Sequence, residues 1–224
     1  MNGILILNKP KGMTSFAAVD QIHKLLNVKA GHAGTLDPMA EGVLVVLLGK
    51  STKKAKEFES AVKEYEAEIT FGVETDSLDS TGKITATKEF TVSEQQFLDA
   101  MNGFIGEIQQ IPPMVSAIHY KGKRLYELAR KGIEVEREPR KITIHNLELI
   151  SFDGEKASFW VSCSKGTYIR SLCADIGAKL GCGAHMSRLT RVRSGDFSIN
   201  DAHTLEEVFK LHNAGELEGA ICRA

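Results

Sequence analysis

The chain has 224 residues, 28 Lys+Arg against 29 Asp+Glu, 42% hydrophobic and 25% charged residues. These values fit one soluble globular domain with elaborations, or a domain plus a small appendage, and exclude a disordered tail, a collagen or a coiled coil. The net charge of −1 gives no sign of a globally basic nucleic-acid binder, although binding depends on where charge sits rather than on its sum.

In chain order, Ile4–Leu7 reads as a short buried strand. Thr14 or Ser15 can cap a helix whose apolar face is Val19, Ile22, Leu25 and Leu26. A Gly-rich loop over Gly31–Asp37 follows, then an apolar strand over Val43–Leu48. Lys63–Phe71 alternates, with Tyr65, Ala67, Ile69 and Phe71 on one face. Ser93 and Gln96 form a capping box for a helix carrying Phe97 and Met101. Strands are predicted around Ile142–Leu149 and Ala157–Ser164. Ile169–Leu180 is an amphipathic helix ended by Gly181, and Thr204 with Glu207 caps a last helix. The absence of regular βαβ alternation predicts an α+β fold.

The segment Lys121–Lys141 holds eight Lys/Arg against four Glu and reads as an exposed basic arm loosened by Gly122 and Gly132. Arg188–Arg193 is a second basic cluster, and acidic stretches lie at Glu57–Glu68 and Glu206–Glu218. The longest apolar run, Val43–Leu48, is far short of the roughly 20 residues that cross a bilayer. The N-terminus lacks the basic region of a signal peptide. A cytoplasmic protein without membrane contact is expected. Cys163, Cys173, Cys182 and Cys222 lack zinc spacing and are expected to be free thiols.

Several motifs fail on register. Gly49-Lys50-Ser51-Thr52 looks like the end of a P-loop, but Leu44 stands where that motif needs glycine. Asp76-x-x-Asp79-x-x-Gly82 lacks the third-position ligand and closing Glu of a calcium loop. No metalloprotease, serine-hydrolase or dinucleotide motif occurs. No metal or cofactor is therefore expected.

The most unusual segment is Gly31-His32-Ala33-Gly34-Thr35-Leu36-Asp37-Pro38 with Gly42-Val43-Leu44. Its glycines permit close backbone approach to a ligand, and Pro38 stiffens the backbone that carries the Asp37 carboxylate. Taken alone, Asp-Pro is usually just a turn. Together with Asn8-Lys9-Pro10-x-Gly12-Met13-Thr14-Ser15, Lys63-x-Tyr65, Gly72-x-x-Thr75-Asp76-Ser77-x-Asp79, Pro112-Pro113-x-x-Ser116-Ala117, Gly122-x-Arg124-Leu125-Tyr126-Glu127, Gly166-Thr167-Tyr168-Ile169-Arg170 and Leu189-x-Arg191, it resembles the TruB family of tRNA pseudouridine synthases along nearly the whole chain.

The resemblance implies a pseudouridine synthase catalytic fold, a mixed and mostly antiparallel central sheet flanked by helices and loops. It implies isomerisation of uridine in the TΨC loop (position 55) of tRNA without a cofactor. Asp37 takes the catalytic position, Tyr65 the active-site tyrosine and Arg170 the arginine that pairs with the aspartate. His32, Tyr168 and Leu189 fall at contacts to the target nucleotide or its neighbours. Lys9 falls where it helps build the site, and Lys53 on a phosphate contact. Lys121, Lys123, Arg124 and Arg130 belong to an arm that would clamp the T-arm backbone. Residues 1–199 would form the catalytic domain, with a mobile clamping insertion at about 112–141. Residues 200–224 would be a short helix and tail rather than the C-terminal PUA-like domain of longer members, which points away from guide-RNA-dependent relatives. A monomer needing no protein partner is expected.

The chemistry is compatible with these residues. The reaction breaks an N-glycosidic bond and reforms it as C–C, so it is redox-neutral. A carboxylate can act as nucleophile or electrostatic partner, whether at C6 of the base, at C1′ of the sugar or beside a glycal-like intermediate. Two other readings stay open, an RNA-folding chaperone that binds the T-arm and a sister synthase acting on another RNA.

Overall fold

The computed structural model describes residues 1–223. The first elements are β1 (Gly3–Lys9), α1 (Ser15–Leu26), β2 (Ala30–Ala33), β3 (Glu41–Leu48) and the short α2 (Ala55–Glu59). Then come β4 (Lys63–Phe71), β5 (Val73–Thr75), β6 (Ile84–Thr87), α3 (Glu94–Asn102) and β7 (Gly106–Gln110). The arm contributes β8 (His119–Tyr120), β9 (Lys123–Arg124) and α4 (Leu125–Ala129). The chain continues through β10 (Arg140–Phe152), β11 (Lys156–Cys163), α5 (Ile169–Lys179), β12 (Ala184–Ser194), β13 (Phe197–Ser198), α6 (Leu205–Ala214) and β14 (Ile221–Cys222).

The described residues divide into two compact units, 1–66 with 189–223, and 67–188. In the first, β1 pairs antiparallel with both β3 and β14, and β2 pairs antiparallel with β3. Thr190 and Arg191 of β12 lie parallel to Glu41 and Gly42 of β3. The apolar runs of β1 and β3 are buried on both faces. One face packs Leu5, Leu7, Leu44 and Val46 against Ala18, Val19 and Ile22 of α1 and Val208 of α6. The other packs Ile4, Ile6, Val43 and Val45 with Ala33. Thr14 caps α1 through its side chain, with the Ala17 N–H donating to it at 3.0 Å.

In the second unit, β10 pairs antiparallel with β11 and β7. Its core is aromatic. Phe97 of α3 meets Phe71, Phe152 and Phe159 at ring separations of 5.4 to 6.4 Å, the range in which such rings attract. The capping box Ser93–Gln96 forms as its spacing predicts. Mixed helices and mostly antiparallel strands give the α+β class.

Three expectations need correction. Ala30–Ala33 is a strand, not the start of a glycine loop, because β3 supplies its ladder partners through Val46 and Val45 opposite His32 and Ala33. Arg191 is no surface cation, since only 1% of it is exposed. The arm is more than a loosened charge run. Met114, Leu125 and Leu128 bury one another, with Ile118, Tyr120 and Val135 around them. Cys163, Cys173 and Cys182 are buried, Cys222 is exposed, and among the described residues none of the four forms a disulfide.

Candidate active site

Asp37 sits in the turn joining β2 to β3, within the first unit. Separate anchors hold that turn. The Ser15 hydroxyl, 1% exposed, donates to the Leu36 carbonyl at 2.9 Å and accepts the Leu36 N–H at 2.8 Å. The Gly12 N–H donates to the Pro38 carbonyl at 2.7 Å, and the Ala40 N–H closes on the Asp37 carbonyl at 3.1 Å. From the other side the buried Arg191 guanidinium donates to the Gly34 carbonyl (2.9 Å) and the Val43 carbonyl (2.7 Å). The Thr190 hydroxyl donates to the Glu41 carboxylate at 3.1 Å. A carboxylate on such a turn is preorganised, because its backbone has few other positions to adopt.

Gly42 allows this construction. It has φ +104°, and its α-carbon lies against the Arg191 backbone, where any Cβ would collide. It pairs with Lys9 on one side and Arg191 on the other, so two cations flank β3 at one level.

Lys9 is fully buried, and its ammonium donates to the carbonyls of Met13 (2.6 Å) and Pro10 (2.9 Å). Burial pushes its pKa down to about 8. The Asp37 carboxylate opposes that shift and Arg191 adds to it. Lys9 and Asp37 therefore share one electrostatic environment. His32 lies on β2, and its Nδ1 is buried without a hydrogen-bond partner. Burial first, then Arg191, lowers its pKa, favouring the neutral imidazole. Tyr65 lies on the buried face of β4 with Lys63, and Leu189 is buried on β12. Lys53 is exposed, as a phosphate contact requires.

The second unit holds the remaining predicted residues. Arg170, in the first turn of α5, is buried. Its guanidinium donates to the carbonyls of Ser77 (2.9 Å) and Val115 (2.8 Å) and lies 3.6 Å from the Asp79 carboxylate. A guanidinium has five N–H donors and can serve several acceptors at once. Asp79 also accepts from the Ser77 hydroxyl (2.8 Å) and the Thr81 N–H (2.9 Å). That network accounts for the Asp76–Gly82 pattern as scaffolding around Arg170. Tyr168 is the residue preceding α5, and Gln110 brackets its backbone. Lys121, Lys123, Arg124 and Arg130 are all exposed on the arm. Among the described residues, no group of three or more His, Cys, Asp or Glu is placed to hold a metal. No described helix is long and apolar enough to cross a membrane.

Sequence reasoning gave Gln110 no role, read Ser15 only as a possible helix cap, and left Asp79 and Arg191 as motif members without an assigned function. Buried polar residues close to a glycine-rich turn were the available signal, but their partners lie far along the chain.

The chain's fold is that of the pseudouridine synthases. It is similar to the solved Cbf5–Nop10–Gar1 complex, with TM-score 0.77 and 35% identity over 97% of this chain and 56% of that one. It is also similar to an H/ACA ribonucleoprotein bound to a substrate RNA containing 2′-deoxyuridine, with TM-score 0.75 and 32% identity over 99% of this chain and 59% of that one. The chain thus spans little more than half the length of these two structures. The model for the TruB family pseudouridylate synthase N-terminal domain matches residues 23–169, and that for the tRNA pseudouridylate synthase B C-terminal domain matches residues 170–221. Among curated relatives, tRNA pseudouridine synthase B of Alkaliphilus oremlandii is 50% identical over 97% of this chain and 73% of its own length. That of Protochlamydia amoebophila is 49% identical over the whole of this chain and 84% of its own length. The chain belongs to the TruB family of tRNA pseudouridine synthases, which are isomerases.

Proposed function

We propose that this chain isomerises the uridine of the tRNA TΨC loop to pseudouridine, with Asp37 as the acting carboxylate. The observation that carries the reading is the fixed turn that presents Asp37, tied to Ser15, Gly12 and Arg191 and sharing its field with Lys9. In the reaction the N1–C1′ bond breaks, the uracil turns, C5 bonds to C1′, and the C5 proton is lost as N1 gains one. Asp37 acts on the base or the sugar during the bond exchange. Arg170 is the arginine assigned to pair with that carboxylate. Tyr65 stacks on the uracil.

The target base must leave a folded loop to reach a carboxylate, which costs a few kcal/mol of unstacking. His32, Tyr168 and Leu189 are assigned to the flipped nucleotide or the space it vacates. The exposed Lys53 and the arm cations Lys121, Lys123, Arg124 and Arg130 bind backbone phosphates. The arm closes on the RNA as a clamp over residues 112–141 of a catalytic domain spanning 1–199. The protein works in the cytoplasm as a monomer and needs no protein partner, which light scattering with and without tRNA would check.

The test is to treat unmodified tRNA transcript with the protein and map pseudouridine. One new pseudouridine in the T-loop supports the reading. Product at another position, or on a transcript lacking a T-loop, would replace it with a different RNA target.

A further inference from the structure

The arm's first residues are stitched to the start of α5. Gln110, the last residue of β7 and 2% exposed, uses both ends of its amide on one residue. Its Oε1 accepts the Tyr168 N–H at 2.8 Å, and its Nε2 donates to the Tyr168 carbonyl at 3.1 Å. One residue further on, the Ile111 carbonyl accepts from the Ser171 hydroxyl at 3.0 Å. At Val115 the carbonyl accepts from Arg170 at 2.8 Å. Three neighbouring positions of α5 and its cap are thus held by three positions at the arm's root.

The paired bonds at Tyr168 are specific in what they fix. Tyr168 precedes the helix, so its N–H has no acceptor within α5. An amide that both accepts and donates reproduces the pairing of a strand neighbour and sets the peptide planes on both sides of the residue. Those planes set the direction in which the Tyr168 Cα–Cβ bond leaves the backbone. Gln110 itself is aimed by its place in the ladder, where it pairs with Arg140 at the arm's far end. Both ends of the arm, residues 112–139, therefore converge on this one glutamine.

We propose that Gln110 is a positioning residue, which makes the placement of the arm and of Tyr168 a single event. An RNA that engages the arm cations shifts the arm's root, and the Gln110 amide carries that shift to Tyr168, with Ser171 and Arg170 following through Ile111 and Val115. Without the Gln110 bonds Tyr168 is misplaced and a bound RNA reacts slowly. The inference rests on the reading of Tyr168 as a contact to the target nucleotide.

The experiment measures single-turnover pseudouridine formation at saturating tRNA, beside tRNA affinity and thermal melting. Gln110→Met keeps length and apolar packing but removes both hydrogen bonds. The expected result is a rate loss of about tenfold or more, in line with the cost of small misplacements at a reacting centre, with affinity within about threefold of wild type. Gln110→Glu still accepts the Tyr168 N–H and should recover part of the rate. Ser171→Ala, a conservative change, should lower the rate in the same sense by a smaller factor and carries the test if Gln110→Met does not fold. Gln109→Ala, on the exposed side of β7, should match wild type. Unchanged rates in Gln110→Met and Ser171→Ala, or rate and affinity falling together, would overturn the proposal. If the wild-type protein forms no pseudouridine in tRNA, the functional reading fails first. If the wild type is active and Gln110→Met equals it, only this inference fails.

Discussion

Replacing Ser15 with alanine tests whether the Asp37 turn is held as tightly as its hydrogen bonds suggest. The hydroxyl serves both polar groups of Leu36 at 2.8 and 2.9 Å, and no solvent reaches the site to replace it. Alanine removes one oxygen, adds no bulk and suits the first turn of α1. It leaves one buried N–H and one buried carbonyl without this partner. Each costs about 1–3 kcal/mol, so the expected loss of stability is about 2–6 kcal/mol, reduced if the turn relaxes to reach water. Relaxation itself would move Asp37, the next residue, and should lower the single-turnover rate by about tenfold or more. Urea unfolding gives the first quantity and a quench assay on tRNA the second. A variant that loses less than about 0.5 kcal/mol and keeps the wild-type rate would refute the claim that this clasp presents the carboxylate.

The other predictions concern charge. Folding lowers the Lys9 pKa from 10.5 to about 8, so between those values the unfolded chain holds more protons than the folded one. The penalty of burying the ammonium is fully present below about pH 8 and is relieved as pH rises towards 10.5, by on the order of 3 kcal/mol. Lys9→Met should therefore show a shallower rise of unfolding free energy across that window than wild type, and equal slopes would contradict the burial argument. Asp79→Asn removes one carboxylate, 3.6 Å away, from beside the buried Arg170 guanidinium. A loss of about 3–5 kcal/mol is expected by thermal or chemical melting, and one below about 1 kcal/mol would show that Asp79 is not needed to hold the buried guanidinium. Lys123→Ala with Arg124→Ala removes two exposed cations, leaving stability within about 0.5 kcal/mol. The slope of log affinity against log salt should flatten by roughly 1.4–1.8; an unchanged slope would place the phosphate contacts elsewhere.

Strong local periodicity made some of the fold legible. The strand Lys63–Phe71 agrees with its alternation end to end, with Tyr65, Ala67, Ile69 and Phe71 all buried. The helices beginning after Thr14, Ser93 and Thr204 announced themselves through side chains that bond their own first turns. Ala30–Ala33 did not. Ala-Gly-His-Ala has little intrinsic preference for a strand, and only the ladder supplied by β3 makes it one. The polar strand Gly106–Gln110 depends likewise on Arg140–Ile144 opposite it.

The candidate site divides the same way. Asp37 was assigned through the family motifs, because an Asp-Pro among glycines reads by itself as a turn. Its supports were assigned no such role. Ser15 is 21 positions from Leu36, and Arg191 is 148 and 157 positions from Val43 and Gly34. Neither separation leaves a periodic trace. Arg191 misleads on composition alone, because an arginine in the run Arg188–Arg193 looks like surface charge until its two carbonyl partners are seen. Arg170 was predicted as functional from its motif, whereas its anchoring to Ser77, Val115 and Asp79 emerges only when the chain folds.

The central claim is that the Asp37 carboxylate carries out uridine isomerisation on tRNA. Its most direct test is Asp37→Asn, nearly isosteric, assayed for pseudouridine in a T-loop transcript under single-turnover conditions. No detectable product is expected, while tRNA still binds with an affinity close to wild type. Pseudouridine formed by the Asn variant at the wild-type rate would contradict that claim.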